Sequence, residues 1–136
     1  KYGFLEYAGE SVEYHPSGCV TFPIIGTKAN QEAKLSFDPD RQKRRKIYDD
    51  VVNTFSNYSV FVGGSSSFDM APKPYNKYYA LDLYCKENGF EHSEVVYIGD
   101  DYGLGGNDES VYLSDFPYIT IDNYLDFPDK IKILKV

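Results

Sequence analysis

The run Val95-Val96-Tyr97-Ile98-Gly99-Asp100-Asp101-Tyr102-Gly103-Leu104-Gly105-Gly106-Asn107-Asp108 places two adjacent carboxylates at the end of an apolar, strand-like segment, followed by glycines and then Asn-Asp. In open α/β sheets, ligands bind outside the carboxyl ends of the strands. Asp100 and Asp101 stand at such an end, and neighbouring carboxylates repel unless a cation or a hydrogen-bond network holds them. Magnesium is the natural candidate. The glycines between Tyr102 and Asn107 let the backbone approach a ligand closely, and Asn107-Asp108 can either cap the next helix or support a metal. By residue type alone two readings stay open, a metal-supporting loop and a polar loop ending in an ordinary helix cap.

The elements that would position these residues follow from the pattern along the chain. Residues 2–25 are rich in Tyr, Val, Phe and Thr, broken by Ala8-Gly9 and Pro16-Ser17-Gly18, and read as two or three antiparallel strands. Asp38-Pro39-Asp40 supplies a helix cap with Pro at the first helical position, and Ile47, Val51, Val52 and Phe55 recur at helical spacing, which predicts a helix of roughly four turns. Residues 58–62 and 66–71 form two strand-like runs around Gly63-Gly64, and Pro72-Lys73-Pro74 closes this part. A helix over 77–88 ending on Gly89 then leads to the buried-looking strand 95–98. A short helix near 108–113, a strand over 118–121 and a terminal helix from about Tyr124 complete a strand–helix alternation. The chain thus reads as α/β with two parts: an α+β domain with an antiparallel sheet over 1–73, then part of a parallel, Rossmann-like α/β core over 74–136.

The 136 residues are 42% apolar, enough for one compact unit or two small lobes. A net charge of −7 argues against nucleic acid as a partner. No apolar stretch approaches the roughly 20 residues of a membrane helix, and no charged-then-apolar leader precedes Lys1, so the chain reads as soluble, with no membrane partner. Cys19 and Cys85 lie far apart without any Cys-x-x-Cys or Cys/His cluster; they read as reduced thiols and point to the cytoplasm. His15 and His92 are isolated and read as surface or hydrogen-bonded residues. The run Arg41-Gln42-Lys43-Arg44-Arg45-Lys46 reads as the solvated face of the helix behind Asp38, with Arg44 and Arg45 the members that could swing toward a bound phosphate.

Gly99-Asp100 followed closely by Gly105-Gly106-Asn107-Asp108 resembles the fourth motif of the haloacid dehalogenase phosphotransferases, in the form found in the phosphomannomutase family. Gly63-Gly64-Ser65-Ser66-Ser67-Phe68-Asp69 resembles that family's cap segment, whose Ser and Asp contact the sugar. Residues 72–79, with Asn76-Lys77, resemble its return from cap to core. Phe4-Leu5-Glu6-Tyr7 is similar to the strand that opens the cap. The resemblance implies a type IIB cap over 1–73 and the C-terminal part of the core over 74–136. It further implies Asp100 as a magnesium ligand supported by Asp101 and Asp108, Lys77 as the catalytic lysine, and Ser67 and Asp69 as substrate contacts. A cation at Lys77 would neutralise charge on the transferring phosphoryl group. The implied substrate is a small phosphorylated metabolite, and the implied assembly a homodimer through the cap.

Two departures qualify what the resemblance implies. The family's nucleophile is an Asp-x-Asp on an apolar strand. The only Asp-x-Asp here is Asp38-Pro39-Asp40, inside the cap-like region, and it is rejected. The expectation is therefore that the chain is a fragment lacking an N-terminal core segment, inactive alone. The cap arginines that grip a second phosphate also correspond to Thr27 and Lys34 here, which favours a sugar-phosphate phosphatase over a mutase interconverting hexose 1- and 6-phosphates. A non-catalytic dimerisation or binding module is the remaining alternative.

Overall fold

The computed structural model describes residues 1–134, which fold as two compact units, residues 1–76 and 77–134. In the first unit the strands β1 (Glu13–Tyr14), β2 (Val20–Pro23), β3 (Tyr58–Phe61) and β4 (Ser67–Pro72) form one antiparallel sheet in the order β1-β2-β4-β3. The alternation of β4 decides which side chains are available for chemistry. Phe68 and Met70 point into the core with Ile24, Val60 and Val62, while Ser67 and Asp69 occupy the other face. Phe68 is 1% exposed, and truncating such a side chain costs about 3–5 kcal/mol.

Helices α1 (Gln31–Phe37), α2 (Gln42–Arg45) and α3 (Tyr48–Thr54) connect β2 to β3, and Ile47, Tyr48, Val51 and Val52 pack on the core. The single four-turn helix predicted behind Asp38 is therefore two short ones. Arg41 takes a left-handed conformation at φ 61, and the chain restarts at Tyr48. The turn at Arg41 follows from contacts of Asp38. The Asp38 carboxylate accepts from the amides of Lys43 (2.9 Å) and Arg44 (3.1 Å) and pairs with Arg44 Nε at 2.8 Å, so the chain must fold back on itself at Arg41. Helix α1 went unpredicted; Asn30 caps it by accepting from the Ala33 amide at 2.8 Å. Residues 4–7 form no strand among the described residues. Positive φ at Gly3 and Gly9 interrupts extended backbone on either side, and Leu5 is left 84% exposed.

The second unit opens with α4 (Lys77–Asn88), which ends as predicted at Gly89. Gly89 has φ 73, and the Phe90 amide reaches back to the Cys85 carbonyl at 3.0 Å. A 3-10 turn over His92–Glu94 precedes β5 (Tyr97–Gly99), and α5 (Glu109–Tyr112) leads to β6 (Tyr118–Thr120). Strands β5 and β6 pair in parallel, Tyr97 opposite Tyr118 and Gly99 opposite Thr120. Cys85, Val111 and Phe116 form the core, with Tyr78, Leu81 and Val95 packed around them. The strand expected to be buried is half-buried, and Val96 is exposed. The expected terminal helix is broken into a 3-10 turn over Tyr124–Asp126, the single turn α6 (Phe127–Lys130) and a 3-10 turn over Ile131–Ile133. An antiparallel α+β unit followed by a parallel α/β unit is the fold class read from the sequence. Both cysteines are free thiols, and no helix among the described residues is long and apolar enough to cross a membrane.

Candidate functional site

In the second unit β5 delivers Asp100 and Asp101 to its carboxyl end, and the glycine loop returns the chain so that Asp108 lies beneath them. Asp108 is the hub of the cluster. Its Oδ1 accepts from Lys77 Nζ at 2.5 Å and from the Tyr97 hydroxyl at 2.7 Å, and its Oδ2 accepts from the amides of Asp100 (3.2 Å) and Asp101 (3.0 Å). Lys77 also donates to Asn107 Oδ1 at 2.8 Å and lies over the Tyr97 ring. Any side chain at Gly99 would overlap the Tyr118 hydroxyl and meet Asp108 Oδ2, so a glycine is required for this packing.

The electrostatics follow from these contacts. Burial of Asp108 opposes its ionisation. The bonds from Lys77, the Asp101 amide and Tyr97 outweigh that and hold its carboxyl below the usual carboxylate range. Burial likewise works against the Lys77 ammonium, but bonding to Asp108 and Tyr97 raises its pKa overall. The Tyr118 hydroxyl is buried and has no hydrogen-bond partner among the described residues, and burial pushes its pKa well up.

The three carboxylates named from the sequence thus differ in kind. Asp108 is committed to four donors. Asp101 is buried and accepts from the Asn107 amide at 3.2 Å. Asp100 is exposed, and its carboxylate accepts no hydrogen bond from the described residues. No group of three or more His, Cys, Asp or Glu side chains among the described residues converges to hold a metal on its own. A magnesium ion does not need one, because it keeps several waters and binds through one or two carboxylates plus substrate phosphate oxygens. One free carboxylate, on a residue whose amide shares Asp108 with Lys77, fits that demand.

Ser67 and Asp69 lie in the first unit, on the face of β4 away from the core. Ser67 Oγ donates to the Gly63 carbonyl at 3.2 Å. Asp69 Oδ1 accepts from Thr21 Oγ1 at 2.8 Å, across the β2–β4 register, and Thr21 Oγ1 lies 2.9 Å from His15 Nε2. A side chain at Gly63 would occupy the place of the Asp69 carboxylate. Thr27 and Lys34 bond locally, Thr27 Oγ1 accepting from the Glu10 amide at 3.1 Å and Lys34 Nζ donating to the Thr27 carbonyl at 3.2 Å. The basic run is not uniformly solvated. Arg44 is fully buried against Asp38 and cannot swing toward a bound phosphate.

The structure therefore brings Lys77, Asp100, Asp101 and Asp108 into one cluster and places Ser67 and Asp69 together on one strand. The sequence reading missed Tyr97 and Thr21, and it turned Arg44 outward toward phosphate where the structure buries it on Asp38. A hydroxyl inside an otherwise apolar strand was the one signal available for Tyr97.

An α+β unit joined to a parallel α/β unit, with Gly-Asp at a strand's carboxyl end and a lysine bound to the acidic loop, defines a protein of the haloacid dehalogenase superfamily. Residues 6–134 match the family model described as eukaryotic phosphomannomutase, and the chain belongs to that family. It is 30% identical over 124 residues to a phosphomannomutase of Saccharomyces cerevisiae, covering 87% of this chain and 46% of that protein. It is also 30% identical over 110 residues to a phosphomannomutase of Schizosaccharomyces pombe, covering 77% and 41%. The chain spans about half the length of the curated relatives it matches. Among solved structures it resembles an N-terminally truncated, IMP-bound IMP-nucleotidase of Plasmodium falciparum, with a TM-score of 0.58 and 14% identity over 90% of this chain and 31% of that one, which is a likeness of fold.

Proposed function

We propose that this polypeptide serves a magnesium-dependent phosphoryl transfer on a sugar monophosphate, proceeding through an aspartyl-phosphate and releasing inorganic phosphate. The observation that carries this reading is the Lys77–Asp108 ion pair at 2.5 Å, with Asp108 also holding the amide of Asp100, whose exposed carboxylate is unengaged among the described residues. Lys77, protonated at neutral pH, faces the developing charge on the phosphoryl group. Asp108 and Tyr97 fix its ammonium by hydrogen bonds. Asp100 would be the magnesium ligand, with Asp101 and Asp108 shaping the loop around it. Magnesium, when bound, would neutralise charge on the phosphate oxygens. Asp38 is unsuited to attack phosphorus because it is buried and paired with Arg44, so the attacking aspartate is assigned outside the described residues. Ser67 and Asp69 would recognise sugar hydroxyls.

The preference for hydrolysis rests on the grip available for a second phosphate. Thr27 carries no charge, Lys34 is turned onto a carbonyl, and Arg44 is buried, so none supplies a guanidinium fork. Family membership favours a second reading, a mutase that interconverts hexose 1- and 6-phosphates. Incubating the full-length protein with mannose 1-phosphate and magnesium separates the two. Phosphate release unaffected by a hexose bisphosphate supports the phosphatase, and bisphosphate-dependent mannose 6-phosphate exceeding phosphate release establishes the mutase.

A further inference from the structure

Arg44 is the one buried member of a six-residue basic and polar run, and its side chain and that of Asp38 are both fully shielded from solvent. A buried ion pair is a poor source of stability, since apolar residues of the same volume fill such a space as well or better. What the guanidinium offers that an apolar group cannot is a fork of N–H donors in fixed geometry. Here Nη1 donates to the carbonyls of Gly63 at 2.5 Å and Ser67 at 2.9 Å, with longer contacts to the Gly64 carbonyl at 3.3 Å from Nη1 and 3.4 Å from Nη2. All three carbonyls belong to the turn 63–67 that feeds directly into Ser67 and Asp69. Apart from Arg44, the turn is tied to the neighbouring strand by the Ile24 amide, which donates to the buried Ser66's carbonyl at 3.0 Å. Ser67 closes it weakly, through an amide bond to the Gly63 carbonyl at 3.4 Å and an Oγ bond at 3.2 Å. Asp69 packs against Gly63 where no Cβ could fit.

We infer that Arg44 is a positioning residue: neutralised and anchored by Asp38, it holds the Gly63–Ser67 turn from beneath so that Ser67 and Asp69 present one fixed pattern to substrate hydroxyls. The inference rests on the proposed role of Ser67 and Asp69 in sugar binding. It assigns to the Asp38–Arg44 pair a part in substrate selection without contact with substrate.

The test compares the full-length protein with its Arg44→Lys variant, which keeps the charge and loses the fork. Asp38→Asn, which keeps the guanidinium and loosens its anchor, carries the same readouts should Arg44→Lys fail to fold. Kinetics on mannose 1-phosphate should show KM raised by about tenfold, the size of one lost hydrogen bond, with kcat changed far less. KM for para-nitrophenyl phosphate, which has no sugar hydroxyls, should stay within about twofold of the parent, below the effect of one lost hydrogen bond. Amide exchange at residues 64–67 should accelerate by a similar factor while the amides of β3 and the centre of β4 keep their protection. A variant that melts earlier with unchanged KM and unchanged exchange in the turn has lost only stability, and overturns the inference. If the parent protein itself does not turn over sugar phosphates, the proposed function fails. The exchange arm then decides the inference alone: unchanged exchange at residues 64–67 overturns it.

Discussion

Replacing Asp108 by Asn tests the hub on which the second unit's chemistry is built. The carboxylate accepts four hydrogen bonds, two on each oxygen. An amide offers one acceptor oxygen, and whichever way it turns, its NH2 group faces two donors. The less costly orientation keeps the oxygen on the amides of Asp100 and Asp101 and turns NH2 toward Lys77 and Tyr97. The Tyr97 hydroxyl then loses a part-buried, charge-assisted partner, a loss of about 1.5–2 kcal/mol. The Lys77 side chain is 43% exposed, so solvent screens its share to under about 1 kcal/mol. The total is roughly 2–3 kcal/mol, or about 1 M in a urea midpoint. Urea unfolding of this chain, followed by near-ultraviolet circular dichroism of its tyrosines, measures it. Tyr97→Phe, which removes a single donor, should cost about 1 kcal/mol in the same assay. The pH dependence has a definite sign. Asp108 is held below its ordinary pKa in the folded state, so its contribution is fully present above about pH 4 and is lost as pH falls through the folded value. The gap between parent and Asp108→Asn should therefore narrow below about pH 4. An Asn variant within about 0.5 kcal/mol of the parent, or no worse than Tyr97→Phe, refutes the hub, since either amounts to one lost hydrogen bond at most.

Gly99→Ala should destabilise the chain by about 2 kcal/mol or more, because its methyl overlaps Tyr118 and Asp108; an unchanged urea midpoint contradicts the packing at the end of β5. His92 lies 2.8 Å from Asp115 and 3.2 Å from Asp82, and the bond to Asp115, chiefly, raises its pKa, so it stabilises below about pH 6.5 and loses this as pH rises through the folded value. The melting temperature should thus fall between pH 6 and pH 8.5, and the fall should be smaller in His92→Ala. The 136-residue chain alone should hydrolyse para-nitrophenyl phosphate no faster than buffer, since the first carboxylate of its Asp-x-Asp, Asp38, is buried against Arg44; robust magnesium-dependent turnover would show a nucleophile within it.

How much of this was legible in the sequence depends on whether the deciding contact was local. Helix α4 was readable because its interior lacks Gly and Pro and its end is a glycine that adopts φ 73. Strand β4 was readable because Ser67, Phe68, Asp69 and Met70 alternate between two faces. The cluster around Asp100 announced itself through an apolar run ending in carboxylates and glycines. By contrast, the left-handed turn at Arg41 that precedes α2 depends on Asp38 meeting Arg44, and nothing in a run of six polar and basic residues marks which one turns inward. Tyr97 looked like strand filler because its partner, Asp108, is reached only after the loop has closed. Helix α1 had a visible cap in Asn30, yet Leu35 is 57% exposed and no apolar stripe accompanies that cap.

The central claim is that the Asp100 end of β5 and the Lys77–Asp108 pair form a magnesium-dependent phosphoryl-transfer site. It is tested most directly by titrating magnesium against the initial rate of phosphate release from mannose 1-phosphate, for the full-length protein and its Asp100→Asn variant, with urea unfolding of both as the control. The Asp100 carboxylate is exposed and accepts no hydrogen bond from the described residues, so the substitution should leave the unfolding free energy within about 0.5 kcal/mol of the parent. The account predicts a saturable magnesium dependence in the parent and a loss of at least about a hundredfold in the variant at any magnesium concentration. A variant that keeps the parent's rate and the parent's magnesium dependence would contradict it.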